Sequence, residues 1–357
     1  MRITMAQLAS GIIEYAERLT SGSPFRLPYP ANLQLALDRL TLLSWHQRVA
    51  PPPSVVDLLQ LAHTPFEEWP LDLEDAELDP DESLLTSGRP SIACEELGRL
   101  RGDVEAELRE TELMHAVLDK SRAHDAPESY VAFRRLLISR PSITSIEIDA
   151  MLAEPHLALL AGEVRRAYAD APPEAIADGI VRTCGGCLGL RLPLDDDRTW
   201  TCVDDSCPDP SAEGPDHRAA EGVLWLRREL RTFIAGPGRA ELRIAQALTE
   251  LGVETALWPD FDTYDLAAFS ERPWVVDVKA WRNPIRLARR LRDRPFVPPA
   301  EAERAFIVIA REQIRAQRRY LDRLRKACPP LRSGQRLVAV SEDQFLDAVR
   351  RRTETER

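Results

Sequence analysis

Over the first 170 residues, apolar positions recur every three to four residues, the spacing of one helix face. The stretch MRITMAQLASGIIEYAERL reads as an amphipathic helix, and residues 31–49 carry Leu33, Leu37, Leu40 and Leu43 on one stripe. Pro51-Pro52-Pro53 ends that helix, and Ser54 is placed to cap the next, residues 55–61. Residues 93–123 read as a single helix through Leu97, Leu100, Val104, Leu108, Leu113 and Leu118, with Gly98 and Gly102 weakening its start. Residues 127–171 break into three short helices at 128–139, 144–153 and 157–169, punctuated by Pro141 and Pro155. That size suits a helix-turn-helix or winged-helix unit, but its middle segment carries no basic residue, so a helical interaction module is the expectation.

Past residue 218 the pattern changes. An apolar run, EGVLWLRRELRTFI, meets a proline-glycine turn and then a helix with Glu241, Ile244, Ala245, Leu248 and Leu251 on one stripe. Short strands follow, the last ending in Asp277-Val278-Lys279. Residues 305–310 are apolar throughout, as in a strand buried on both faces. A helix at 311–327 would bury Ile314, Leu321, Leu324 and Cys328 and expose Arg315, Arg318, Arg319 and Arg323; a strand at 337–340 and a helix at 342–352 complete the chain. The expected architecture is α/β, a mixed sheet flanked by helices (218–357), preceded by a helical domain (1–175) and a cysteine-bearing segment (178–215).

Charge divides along the same lines. The chain carries 47 Lys+Arg and 58 Asp+Glu, a net charge of −11. Residues 281–357 hold 20 basic against 10 acidic residues, whereas residues 1–280 hold 27 against 48. A basic C-terminal region suits phosphate contact; the acidic front suits a protein partner or solubility. Nine carboxylates crowd residues 67–82, and a solvated acidic loop over 65–92 is the expectation. No run of eighteen apolar residues exists, and no basic-then-apolar leader opens the chain, so a cytoplasmic protein without a membrane span is expected.

In a reducing compartment, six cysteines point to metal or core roles rather than disulfides. Cys184-Gly-Gly-Cys187 and Cys202-x4-Cys207 have the spacing of a zinc ribbon, each pair presenting two thiolates at a tight turn. Four thiolates close the tetrahedron, so the Zn2+ would be structural. Only Arg191 and Arg198 are basic between the pairs.

The sharpest chemical signal lies at 265–279. In a strand, residues two apart share a face, so Asp277 and Lys279 face together while Val276 and Val278 enter the core. Asp265 lies on the preceding strand, with Asp260 and Asp262 as rivals for its role. Two carboxylates on neighbouring strands can hold a hard divalent cation, Mg2+ or Mn2+, with the Val278 carbonyl as a third oxygen. An ammonium beside them suits phosphodiester cleavage. Only Lys120, Lys279 and Lys326 are lysine in this arginine-rich chain, and one of the three stands beside the acid. After the strand, Arg286, Arg289 and Arg290 share one helix face and are expected to meet nucleic-acid phosphates.

Carboxylate followed by Asp-x-Lys on the next strand resembles the PD-(D/E)xK, restriction-endonuclease-like nucleases. That resemblance implies a role for Glu241 on the preceding helix, where the family often places its first acid. The combination of a helical front, a four-cysteine ribbon, and then PGRAEL, LWPDFDTYDL and WVVDVKAW is more particular. It resembles the nuclease component of three-gene islands built around a prokaryotic PIWI-type protein. The resemblance implies a PIWI-type protein and a helicase as partners, DNA or an RNA–DNA hybrid as substrate, and a role in defence against plasmids or phage. Catalysis would rest on Glu241, Asp265, Asp277 and Lys279. A homodimer, an inactive DNA-binding scaffold of the same complex, and a zinc-ribbon regulator stay open at this stage.

Overall fold

The computed structural model describes residues 1–20, 27–73, 78–101, 105–193, 199–204, 207–331 and 336–356. Gly102, Val104, Arg198 and the side chain of Leu108 lie outside the described residues. The chain is mixed α/β with a helical N-terminal region, and it divides into two compact units. One comprises Met1–Leu108 with Arg282–Arg290; the other comprises Arg109–Trp281 with Leu291–Arg357. No helix among the described residues is long and apolar enough to cross a membrane.

The first unit is built on α1 (Arg2–Thr20), α2 (Ala31–Gln47), α3 (Val55–Leu61) and α4 (Ile92–Arg101), with a small hairpin of β1 (Leu85–Thr86) and β2 (Arg89–Pro90). Met5, Leu8 and Ile12 of α1 pack with Leu33, Ala36 and Leu40 of α2 and with Leu97 of α4. Gly11 permits the close crossing of α1 and α2, since a Cβ there would lie 2.5 Å from the Leu33 nitrogen. The Ser54 side chain accepts the Asp57 N–H at 3.2 Å, capping α3.

The acidic segment is not simply a solvated loop. Asp79 and Glu82 are buried, and with Glu96 of α4 they enclose the start of α13 (Pro284–Asp293). Arg286, which the helical spacing sets beside Arg289 and Arg290 on a phosphate-facing side, has no exposed side-chain surface. Its guanidinium reaches Glu82 at 2.7 and 2.9 Å and Glu96 at 2.7 and 2.8 Å. Asn283 donates to Asp79 at 2.9 Å and caps α13 through Ile285 N–H at 2.8 Å. Arg286 is thus a core cation rather than a phosphate contact. Burial works against its charge, but Glu96 and Glu82 outweigh that and hold its pKa above the usual value. Arg286→Met is expected to destabilise the first unit by about 3–5 kcal/mol, because two carboxylates would be left buried without their cation. A thermal melt unchanged from wild type would refute this.

The second unit starts with most of α5 (Glu105–Ala123); α4 and α5 are both helical within the stretch 93–123, and residues 102–104 between them lie outside the described residues. Then come α6 (Pro127–Ser139), β3 (Ser142–Thr144), α7 (Ser145–Leu152), α8 (Pro155–Ala158), α9 (Ala161–Ala167) and β4 (Tyr168–Asp170). After an inserted ribbon the chain returns as β10 (Val223–Leu226), which lies between β3 and β4, antiparallel to both. Helix, strand, three helices, and two strands closing on the first resembles the order of a winged-helix unit, with the ribbon inserted between the last two strands. β3 and β4 put strand inside the stretch expected to be all helix; three-residue strands are too short to show alternation. The ribbon holds β5 (Ile176–Ala177), β6 (Ile180–Cys184) and β9 (Glu213–Arg218) in one sheet, and β7 (Arg191–Pro193) and β8 (Trp200–Cys202) in another.

From α10 (Arg228–Leu230) the helix runs on through a π turn, Arg231–Ala235, into α11 (Gly236–Glu250). The expected proline-glycine turn is therefore helical. The wider π turn accommodates Pro237, which has no N–H to donate. Gly238 lets α6 come close: a Cβ there would lie 2.3 Å from the Ile138 Cδ1, so that side chain would have to shift.

The C-terminal sheet has the order β11 (Thr255–Leu257), β12 (Leu266–Ala268), β13 (Trp274–Lys279), β14 (Arg304–Ile309), β15 (Leu337–Ser341). The first two pairings are antiparallel and the last two parallel. The helices α11 and α16 (Glu342–Glu356) pack on Val276, Val278, Phe306 and Val308. Between β14 and β15 the expected single helix is two, α14 (Arg311–Ala316) and α15 (Tyr320–Ala327). Extended Gln317 and left-handed Arg319 (φ 61°) break it, and Tyr320 is buried where Leu321 was expected.

Candidate active site

β13 presents Asp277 and Lys279 on one face, with side chains 14% and 24% exposed, while Val276 and Val278 on the other are buried. The Lys279 ammonium lies 2.5 Å from the Asp277 carboxylate. Asp265 ends the loop that enters β12. Its N–H bonds the Val276 carbonyl at 3.1 Å, and its carboxylate accepts the Val278 N–H at 2.6 Å. Strand pairing thus fixes Asp265 against Asp277. Asp260 is exposed on the preceding turn and is not part of the cluster.

Glu241 enters from α11, fully enclosed, on the stripe that also buries Ile244, Ala245 and Leu248. Its carboxylate is held from two directions. Arg134 of α6 donates to both oxygens at 3.1 and 3.3 Å, and the Trp258 indole N–H donates at 2.5 Å. Arg134 also pairs with Asp262, which accepts the Tyr130 hydroxyl at 2.8 Å. Asp262 sits on α12 (Pro259–Asp262), a turn rather than a right-handed helix: Asp260, Phe261 and Asp262 all have positive φ, as does Trp258 before it.

Tyr130, Arg134 and Trp258 are the members that reading the residues in order did not supply, and Asp262, read as a rival of Asp265, joins the cluster beside it instead of replacing it. A signal existed for Arg134. It lies between Tyr130 and Leu137 on an apolar helix stripe, as Glu241 does on α11.

Electrostatics unify the group. Desolvation raises the Asp265 carboxyl well above the usual value, and the charges of Glu241, Asp277 and Asp262 add to this against Lys279. Burial raises Glu241 as well, opposed by Arg134 and supported by Asp262. Burial works against the Lys279 ammonium, yet Asp277, Asp265 and Glu241 outweigh it and hold its pKa up. Four carboxylates, Glu241, Asp262, Asp265 and Asp277, thus face two cations, Arg134 and Lys279. A divalent cation bound there would relieve the repulsion that raises Asp265.

A second, separate cluster is formed by Cys184, Cys187, Cys202 and Cys207, whose sulfur atoms lie within 4.8 Å of one another. Cys184 and Cys207 sulfurs are 3.6 Å apart, Cys187 and Cys202 3.4 Å. A Zn–S length of 2.3 Å gives a tetrahedral edge of about 3.8 Å, so the quartet could hold a metal such as zinc. The Gly186, Gly189 and Asp204 N–H groups each point at a sulfur at 3.4 Å. Gly185 and Gly186 let the opposite loop close in: a Cβ at Gly186 would meet the Asp209 carbonyl at 2.3 Å. The ribbon is tied to α11 by Arg239, whose guanidinium lies 2.9 Å from Asp204, two residues before Glu241.

Comparison with known proteins fits this layout. Residues 238–357, with Glu241, Asp265, Asp277 and Lys279 among them, match a family described as REase associating with pPIWI_RE. Residues 4–144 match a family described as pPIWI_RE three-gene island domain Y, and that match includes Arg134. No curated protein and no solved structure matches the chain. Carrying both families' domains, the chain is identified as the REase-associated component of a pPIWI_RE three-gene island.

Proposed function

We propose that the chain is a metal-dependent endonuclease subunit that cleaves DNA phosphodiester bonds, acting with a PIWI-type protein and a helicase of the same island in defence against foreign DNA. The observation that carries this is the gathering of Asp265, at the entry to β12, and Asp277 of β13 beside the Lys279 ammonium, in a mixed sheet flanked by helices. That layout is the one expected of a restriction-endonuclease-like core.

In this reading Asp265 and Asp277 hold Mg2+ or Mn2+, with the Val278 carbonyl as a third oxygen. The bound cation would supply Lewis-acid stabilisation of the phosphate and make a water more acidic. Lys279 sets a compact positive charge where the attacking water and the phosphate oxygens meet. Glu241, immobilised by Arg134 and Trp258, offers a fixed anion that orients that water. Arg289 and Arg290 on α13 contact nucleic-acid phosphates. The cysteine quartet binds Zn2+ and serves structure.

The test is purification with the neighbouring gene products, followed by nicking assays on labelled DNA, RNA and hybrids. Cleavage with Mg2+ or Mn2+ that EDTA stops supports the reading. No cleavage of any substrate, alone or with partners, would leave a scaffold instead.

A further inference from the structure

We propose that Arg134 is a positioning residue of the catalytic centre, fixing Glu241 and Asp262 around one guanidinium so that α11 and the α12 turn keep their places beside Asp265 and Lys279. The inference rests on the nuclease reading above and extends it to α6, outside the span matched to the REase family.

The geometry has three parts. First, Arg134 is almost fully enclosed, with its side chain 6% exposed. Its two terminal nitrogens face different acids: one takes both Glu241 oxygens, the other takes Asp262. Only a planar fork can serve two carboxylates in this way; an ammonium is a point charge. Second, the guanidinium lies over the Trp258 ring, 4.7 Å from its centroid, while the Trp258 N–H bonds the same Glu241 oxygen that Arg134 holds. Arginine, indole and carboxylate therefore form a closed triangle, and none can turn without disturbing the others. Third, the run Asp260–Phe261–Asp262 is left-handed without a glycine (φ 49°, 56° and 74°). Each such residue is sterically disfavoured by its Cβ and persists where its surroundings over-determine it. What that turn gains is delivery of the Asp262 carboxylate to Arg134 and the Tyr130 hydroxyl.

A purely architectural role is an inefficient use of these groups, since well-packed apolar residues stabilise a fold as well as a buried ion network does. The network instead holds an acid at one fixed point next to the groups that would meet the phosphate. A displacement of about 1 Å at such a point can cost about 100-fold in rate.

The experiment uses the full chain with its partners, saturating DNA and Mg2+. Arg134→Met is expected to lower kcat about 100-fold with KM for DNA near wild type, and Arg134→Lys to recover part of the loss. In protein free of Mg2+ but with its cysteine-bound metal retained, the Trp258 indole N–H resonance, assigned by its loss in Trp258→Phe, should shift in Arg134→Met and lie closer to wild type in Arg134→Lys. If Arg134→Met does not fold, Arg134→Lys still carries the test through an intermediate kcat and a shifted indole signal. Wild-type kcat in either variant, or a change confined to KM, overturns the proposal while the nuclease reading stands. A wild-type chain that cleaves nothing removes the nuclease reading and this proposal with it.

Discussion

Asp277→Ala is expected to reduce metal-dependent cleavage at least about 100-fold, the scale of losing one electrostatic stabiliser in an enclosed site, and Lys279→Ala to do the same. Asp277→Ala should not lower the melting temperature of the Mg2+-free protein appreciably, whereas Lys279→Ala, which leaves Asp277, Asp265 and Glu241 without their ammonium, should lower it. The reason lies in the balance of charge around Asp265. Its carboxyl is raised by desolvation and then by Glu241 and Asp277, so its ionised form is disfavoured in the fold. A carboxyl held above its unfolded value contributes stability only while protonated, and that contribution fades as pH rises through the folded value. Removing Asp277 takes away one source of this repulsion. Lys279 still faces Asp265 and Glu241, so it is not stranded. Loss of cleavage with an unchanged or higher melting temperature would assign Asp277 to chemistry rather than to the fold. A variant that still cleaves at the wild-type rate would remove the site as drawn. One that loses activity only by unfolding would make Asp277 structural.

The parts of the site legible in the sequence are those fixed by short-range rules. Residues two apart on a strand share a face, so Asp277 and Lys279 could be paired from their spacing alone. The cysteine pairs announced themselves in the same local way. The apolar stripe around Arg134 signals only a buried cation, not its partners, which lie 107 and 128 positions away in the chain. Asp262 reaches it only through a left-handed turn that its residue types do not advertise.

Arg286 shows the opposite error. Three arginines on one helix face read as a phosphate-binding side, yet one of them is the counter-ion of Glu82 and Glu96. The carboxylate-rich stretch without a basic residue was the other half of that signal. A chain that concentrates acids in one segment must neutralise any that it buries, and here the cation comes from about 200 residues downstream. The winged-helix-like sheet was hidden for a third reason. Its three short strands close only after the ribbon has been inserted between two of them.

Removing the metal from the four-cysteine cluster, by a chelator or by Cys202→Ser, is expected to unfold the ribbon and loosen the start of α11. The ribbon's own core is small, with Ala175, Val181, Leu190, Leu192 and Val223 as its buried apolar members. Against that, a structural zinc contributes roughly 10–16 kcal/mol of apparent binding free energy at pH 7, most of it realised as folding. The consequence does not stop at the ribbon. Asp204 stands beside Cys202 and turns its own N–H onto that sulfur, while its carboxylate holds Arg239. Burial works against the Arg239 charge, and Asp204 is the foremost group that offsets it. Once the turn relaxes, Arg239 loses that partner two residues from Glu241, while Arg134, Trp258 and the Ile138 contact still hold the N-terminal part of α11. Hydrogen exchange should therefore rise sharply over residues 180–218 and by a smaller factor at 236–241, whereas α16 and β14 stay protected. Metal analysis of the untreated chain should return one zinc per molecule. An untreated chain without zinc, or a treated one whose exchange at 180–218 does not change, would show that the ribbon folds on its own and that the link to Glu241 carries nothing.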